Sequence, residues 1–313
     1  MNKPRALRPG DTIGLAAPSG AVRRENGLER AIEKVRALGY RVKVGESCGQ
    51  VCGYLSGDDR LRADDLNRMF LDDEVDAIVC LKGGYGAARL LDRLDYGAAA
   101  AHPKILAGFS DITALHAAYH MKSDLVTFHA PMPASNWIDD DFSDFSLQSM
   151  LAALSNPLPR PLENPEGRPL ETIVGGRCEG LLVGGNLSLV SGLLGTPYRL
   201  DVRGKVLLLE DIGEHTYKLD HMLNQLRLAG AFADCAGVVL GDFRDCTVEY
   251  PDFGLTLPQI VRDLIAPAGK PVLAGLAAGH CEPSVALPLG VMCSLDADRR
   301  TLSLLEGGVT DEP

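Results

Sequence analysis

Ser110 stands in "ILAGFSDIT", residues 105–113, directly after an apolar run and ahead of the helical stretch "ALHAAYH". A serine hydroxyl becomes a nucleophile only when a base takes its proton and donors meet the oxyanion that its attack creates. The segment matches part of a nucleophile elbow. Gly108 relieves a tight strand-to-helix turn, and the backbone N–H of Asp111 opens the next helix towards a developing negative charge. Position 112 is isoleucine where the G-x-S-x-G pattern has glycine. The same serine also reads as a helix N-cap, and this segment alone favours the cap.

A second donor has a candidate source in "KGGYG", residues 82–86, which lies one strand-helix unit earlier. In a parallel sheet that loop falls beside Ser110, and the N–H groups of Gly83 or Gly84 can approach a ligand closely. No Lys-Ser or Lys-Thr follows, so the loop is a poor phosphate cradle, and a plain tight turn explains its glycines as well. Seven histidines are available as bases. His116 and His120 lie one helical turn apart and His129 follows, but no H-E-x-x-H pattern is present and packing is the favoured role. His280, in "LAAGHCEPSVALP", sits in a loop at the end of an apolar run, where a side chain is presented; a surface loop histidine is the bland alternative. The carboxylate that orients an imidazole is sought in "LLLEDIGE". Glu210 closes the strand, Asp211 points to the opposite face, and Glu214 in the following loop is second choice. A solvated acidic turn is the competing reading of all three.

These residues need a scaffold, and the first half of the chain alternates short apolar strands with helical patterns. "DTIGLAAP", "YRVKVG", "VDAIVCLKG", "KILAGFS" and "VTFHAP" read as strands; 25–38, 62–73, "GAARLLDRL" and "DITALHAAYHM" read as helices. That order predicts an α/β fold with a parallel sheet whose chemistry lies at the carboxyl ends of the strands. Residues 155–176 carry five prolines and read as a linker. Residues 1–154 are therefore expected as an N-terminal domain with the nucleophile, and 177–313 as a smaller, β-rich domain with the acid and the histidine. "SVALPLGVMCSLD" and "TLSLLE" read as a hairpin or small sheet near its end.

The 313 residues are 46% hydrophobic and 23% charged, enough for two cores. A formal net charge of −11 argues against nucleic acid as partner. "TIGLAAP" is too short for a signal segment and no run reaches membrane-spanning length, so a soluble cytoplasmic protein without a membrane partner is expected. Eight scattered cysteines read as reduced core residues; Cys48 and Cys52 lack a second pair to complete a metal site.

Taken together, "APSG" (17–20), "YLSGDDRLRADDLNRMF" (54–70), "LKGGYGAARLLDRLDY" (81–96), "GFSD" (108–111), "GGNLSLV" (184–190), "LLLEDIGEHTYKLDHML" (207–223) and "GLAAGH" (275–280) resemble the LD-carboxypeptidase family of serine peptidases. That family includes the muramoyltetrapeptide carboxypeptidases of murein recycling and the microcin-immunity peptidases. The resemblance implies a Ser-Glu-His triad falling on Ser110, Glu210 and His280, in a site between an N-terminal α/β domain and a β-rich C-terminal one. Oxyanion donors are then expected at Asp111 and at Gly83 or Gly84. The resemblance also implies homodimers, no metal or organic cofactor, and a small peptide substrate, the murein tetrapeptide, which loses its terminal D-alanine. Alternatives are a microcin-type peptidase acting on peptidyl or aminoacyl nucleotides, and a non-catalytic sugar- or nucleotide-binding protein using the "KGGYG" loop. One departure is Lys82, where relatives often carry arginine.

Overall fold

The computed structural model describes residues 1–249 and 253–311. Strands β1 (Thr12–Ala16), β2 (Arg41–Val44), β3 (Ala77–Cys80), β4 (Ile105–Gly108) and β5 (Thr127–His129) alternate with helices α1 (Gly27–Ala37), α2 (Asp59–Leu71), α3 (Tyr96–Ala101) and α4 (Thr113–Ser123). Helix α5 (Asp144–Ser155) then leads to β6 (Arg160–Pro161), β7 (Glu171–Val174), β8 (Arg177–Asn186), α6 (Leu187–Gly192) and β9 (Val206–Ile212). The chain finishes with α7 (Thr216–Leu228), α8 (Ala231–Asp234), β10 (Gly237–Arg244), α9 (Leu257–Leu264), β11 (Val272–Ala274), β12 (Leu287–Leu289), β13 (Met292–Asp296) and β14 (Thr301–Leu304).

Two sheets result. The first has the order β12-β5-β4-β3-β1-β2, and its five N-terminal strands run parallel, as the alternation of apolar runs and helices predicts. The fully buried strands β1, β3 and β4 lie side by side in it, so the loops at their carboxyl ends meet. The second has the order β6-β14-β13-β8-β9-β10-β11-β7, with a parallel centre, β8 to β11, and antiparallel flanks. The segment 155–176, expected as a linker, lends this sheet its two edge strands, β6 and β7.

Two local expectations change. The segment "GAARLLDRL" forms only a single 3-10 turn over Ala87–Leu90; Asp95 then starts α3 afresh, its side chain accepting from the Ala98 N–H. The expected hairpin at the chain end is β13 and β14, whereas β12 departs to pair antiparallel with β5 in the first sheet.

One apolar cluster is shared by both sheets, with Ile13, Val79, Ala107 and Phe128 from the first and Leu182, Val206, Leu208 and Val239 from the second. The outer face of the first sheet packs under α2 and α4 through Leu66, Phe70, Leu115 and Tyr119. The outer face of the second is covered by α7 and α9 through Leu219, Leu223 and Ile260. Among the described residues no helix is long and apolar enough to cross a membrane.

Candidate active site

Strand β4 is buried throughout and ends at Gly108, where a Cβ would press 3.0 Å from the Ile112 side chain. The chain then turns sharply. Ser110 takes φ +63, a left-handed conformation that costs a non-glycine residue about 1–3 kcal/mol. Its side chain caps neither the 3-10 turn Ser110–Ile112 nor α4, so the local preference for a helix cap is not realised. The Oγ lies instead 3.0 Å from His280 Nε2.

Glu210 reaches the same point from the second sheet. The two-residue period of β9 puts Val206 and Leu208 on the face shared with the first sheet, and Glu210 follows them. Asp211 takes the opposite face, where it accepts from Asn186 Nδ2 and from the backbone N–H and hydroxyl of Ser188. Glu214 pairs with Lys218 in the first turn of α7. Glu210 is completely buried, and its Oε2 lies 2.7 Å from His280 Nδ1. Burial raises its pKa above the ordinary carboxylate value, and the neighbouring His280 opposes that rise. Its second oxygen, Oε1, has no partner among the described residues.

His280 belongs to the loop between β11 and β12 and follows Gly279 at φ +109. A Cβ at position 279 would lie 2.3 Å from Glu210 Oε2, so only glycine lets the loop pass over the carboxylate. The edge of the imidazole packs against the Phe109 ring, 4.8 Å between centroids, and Arg244 donates to the His280 carbonyl at 3.2 Å. Both ring nitrogens are thus engaged and the ring plane is held.

The glycine loop after β3 closes on Ser110 as its position in the sheet predicts. A Cβ on Gly83 would stand 2.9 Å from Ser110 Cβ, 3.1 Å from its Oγ and 3.4 Å from the Asp111 nitrogen. The Gly83 carbonyl accepts from the Gly20 N–H at 3.2 Å, which turns the Gly84 N–H, on the other edge of that peptide plane, away from Gly20. The Asp111 N–H belongs to the first donors of its turn, which have no acceptor within the helix. The Asp111 carboxylate is buried, and burial pushes its pKa up.

In front of these groups opens a cavity of about 510 Å³, lined by Lys82, Gly84, Ser110, Asn136, Arg244 and Glu282 among others. It has the size of a small-molecule or short-peptide site. His116, His120 and His129 stay outside it, all buried; His116 Nε2 meets the Gly108 carbonyl at 2.9 Å, and neither nitrogen of His129 has a partner among the described residues. Cys48 is buried with its Sγ on the Leu15 carbonyl, and Cys52 is exposed. Sequence reasoning missed Phe109 and Gly279. A bulky apolar residue before a serine and a glycine before a histidine are weak signals without the partner they touch.

The chain matches the family models described as the LD-carboxypeptidase N-terminal domain, over residues 13–130, and C-terminal domain, over residues 179–295. The chain belongs to the LD-carboxypeptidase family. Across this family it is 41% identical over 309 residues to a probable murein peptide carboxypeptidase of Bacillus subtilis (strain 168), covering 99% of this chain and 96% of that one. The solved muramoyltetrapeptide carboxypeptidase of Oxalobacter formigenes superposes with a TM-score of 0.82 at 29% identity, over 95% of this chain and 98% of the other. The solved structure of MccF in complex with glutamyl sulfamoyl guanosine superposes with a TM-score of 0.91 at 25% identity, over 98% and 99%. The family carries the mixed α/β architecture with two sheets described above.

Proposed function

We propose that this LD-carboxypeptidase hydrolyses the bond between an L-configured centre and the terminal D-alanine of a murein tetrapeptide, with Ser110, His280 and Glu210 as its triad. The observation that carries the reading is the imidazole held between two groups from different sheets: Nδ1 at 2.7 Å from Glu210 and Nε2 at 3.0 Å from Ser110. Those distances fit a base that is both oriented and within reach of the proton it must take. His280 accepts the Ser110 proton as Oγ bonds to the substrate carbonyl carbon, and Glu210 stabilises the imidazolium. The tetrahedral oxyanion is received by the N–H groups of Asp111 and of Gly83 or Gly84. Collapse breaks the C–N bond, and His280 gives its proton to the departing D-alanine amine. Water, deprotonated by the same imidazole, then attacks the acyl carbon; the C–Oγ bond breaks and His280 returns that proton to Ser110 Oγ.

The 41% identity to a probable murein peptide carboxypeptidase supports this substrate over the aminoacyl nucleotides suggested by the more distant MccF. A cytoplasmic site of action and a homodimer belong to the same reading. The test is release of D-alanine from the tetrapeptide by wild-type protein and Ser110→Ala, with an aminoacyl sulfamoyl-adenylate assayed in parallel. Wild-type turnover of tetrapeptide that disappears in the variant is expected. D-alanine release by Ser110→Ala overturns the mechanism, and preference for the adenylate overturns the substrate.

A further inference from the structure

Among the described residues, Arg62 carries the one large cationic side chain that is completely buried, yet it lies outside the triad. It shares a stripe of α2 with Leu66 and Met69, a spacing of four and seven residues that belongs to the apolar face. Its Nη1 donates to the Pro18 carbonyl and, at 3.0 Å, to the Gly86 carbonyl; Nη2 meets Asp59 at 2.5 Å; Nε has no partner among the described residues. Asp59 is shared with Arg89, which grips it at 2.8 and 2.7 Å. Removing a guanidinium from water costs several kcal/mol, and a packed apolar side chain is commonly as good or better for stability. What the apolar side chain cannot do is hold two backbone carbonyls from two different loops.

Those loops are the ones beside Ser110. Pro18 lies in the loop after β1 and Gly86 in the loop after β3, while the turn after β4 joins them through Asp111, whose Oδ2 accepts from the Ser19 hydroxyl and from the Ala87 N–H at 2.8 Å. With the Gly20 to Gly83 backbone bond at 3.2 Å, the glycine loop is pinned near both ends. A Cβ at Gly86 would fall 2.4 Å from Leu55 and 2.9 Å from Arg62 Nη1, so the loop backbone is pressed onto the guanidinium.

We propose that Arg62 is a positioning residue for the oxyanion cradle, acting with Ser19 and the Asp111 carboxylate to fix the glycine loop against the Ser110–Asp111 turn. The inference rests on the reading of Ser110 as nucleophile. Preorganised donors act because they need no reorganisation as charge develops, so a loosened loop weakens binding of the transition state and leaves binding of the ground state alone.

The test uses the full chain as wild type, Arg62→Met, Arg62→Lys and Ser19→Ala. Each is assayed for kcat and KM on tetrapeptide, for affinity towards the tripeptide product, and for affinity towards a peptide boronic acid that forms a tetrahedral adduct on Ser110. Arg62→Met is expected to lose roughly ten- to hundredfold in kcat and in boronate affinity together, less than the full loss of one oxyanion donor. KM and product affinity are expected to stay within about threefold of wild type. Arg62→Lys, which keeps the charge without the planar fork, is expected to recover only part of the loss. A folded Arg62→Met with unchanged boronate affinity overturns the inference, as does a loss of product affinity equal to the loss of boronate affinity. Where Arg62→Met does not fold, Arg62→Lys and Ser19→Ala are judged by the same criterion. A wild-type protein that binds no boronate on Ser110 overturns the peptidase reading and this inference with it, whereas normal wild-type binding and turnover with an indifferent Arg62 overturns the inference alone.

Discussion

Replacing Glu210 by glutamine changes one atom type in a site that allows no other movement. The carboxylate is enclosed: a Cβ on Gly279 would stand 2.3 Å from its Oε2 and one on Gly241 3.0 Å from its Cβ, so the amide must occupy the same volume. In the wild type, Oε2 accepts the Nδ1–H of His280 at 2.7 Å, which leaves Nε2 bare and facing Ser110 Oγ at 3.0 Å. With the amide NH2 turned to Nδ1 the tautomer reverses, and Nε2 donates to the serine where it should accept. With the amide oxygen there, the tautomer survives but the negative charge that stabilises the imidazolium is gone. Either outcome lowers kcat by roughly 10³- to 10⁴-fold, the scale known for amide replacement of a triad carboxylate. At about 1.36 kcal/mol per decade this is a barrier increase of about 4–5 kcal/mol.

Stability should move the other way. Burial raises the Glu210 pKa, so near neutral pH the folded state carries the whole penalty of an ionised buried carboxylate; that penalty is absent below the ordinary carboxylate pKa and grows as pH rises to the raised value. Glutamine removes it, and the thermal midpoint of the variant at neutral pH should equal or exceed that of the wild type. The pH profile supplies a third readout. On the proposed triad, activity requires ionised Glu210 and should fall as pH drops through its raised pKa, above the usual glutamate range, and this limb should be missing from the residual activity of the variant. The assay is D-alanine release across acid to neutral pH, beside thermal melts. A folded Glu210→Gln that retains kcat within about tenfold of wild type would refute the assigned role of the carboxylate.

Gly279→Ala should cost both activity and stability, because its Cβ would collide with Glu210 and its φ of +109 suits glycine alone; a kcat loss of at least about a hundredfold with roughly 1–3 kcal/mol of destabilisation is expected from turnover and urea unfolding. Gly269→Ala is the control: φ is +66 there but no described residue lies within 4 Å of the added Cβ, so it should lose about 1 kcal/mol and keep full activity. Burial pushes His116 and His120 down to about 4 and His129 down to about 3. The unfolded chain therefore takes up protons that the native state refuses as pH falls below the ordinary histidine value, and stability should decline with a slope of up to about 4 kcal/mol per pH unit for three such groups. Urea unfolding between neutral pH and pH about 5 checks this, and His129→Leu should lower the slope by about one third.

The local sequence determined a good deal by itself. Alternating apolar runs and helical patterns are short-range properties, and they prescribed the parallel sheet β1 to β5 and the placing of Ser110 and the Gly83–Gly84 loop at neighbouring strand ends. The two-residue strand period likewise separated Glu210 from Asp211 before any partner was in view. The motifs along the chain were enough for the family. Tertiary structure decided the rest, because it depends on contacts between residues far apart in the chain. The departure of β12 to the first sheet, the edge strands drawn from 155–176, and the packing of Phe109 on His280 have no local signature. The fate of Ser110 is the clearest case: its immediate neighbours favour a helix cap, and what draws the hydroxyl away is an imidazole 170 residues further on. Arg62 is the same in kind, since a charge on an apolar stripe is readable in sequence, but the two carbonyls that hold it there come from loops that only the folded sheet brings together.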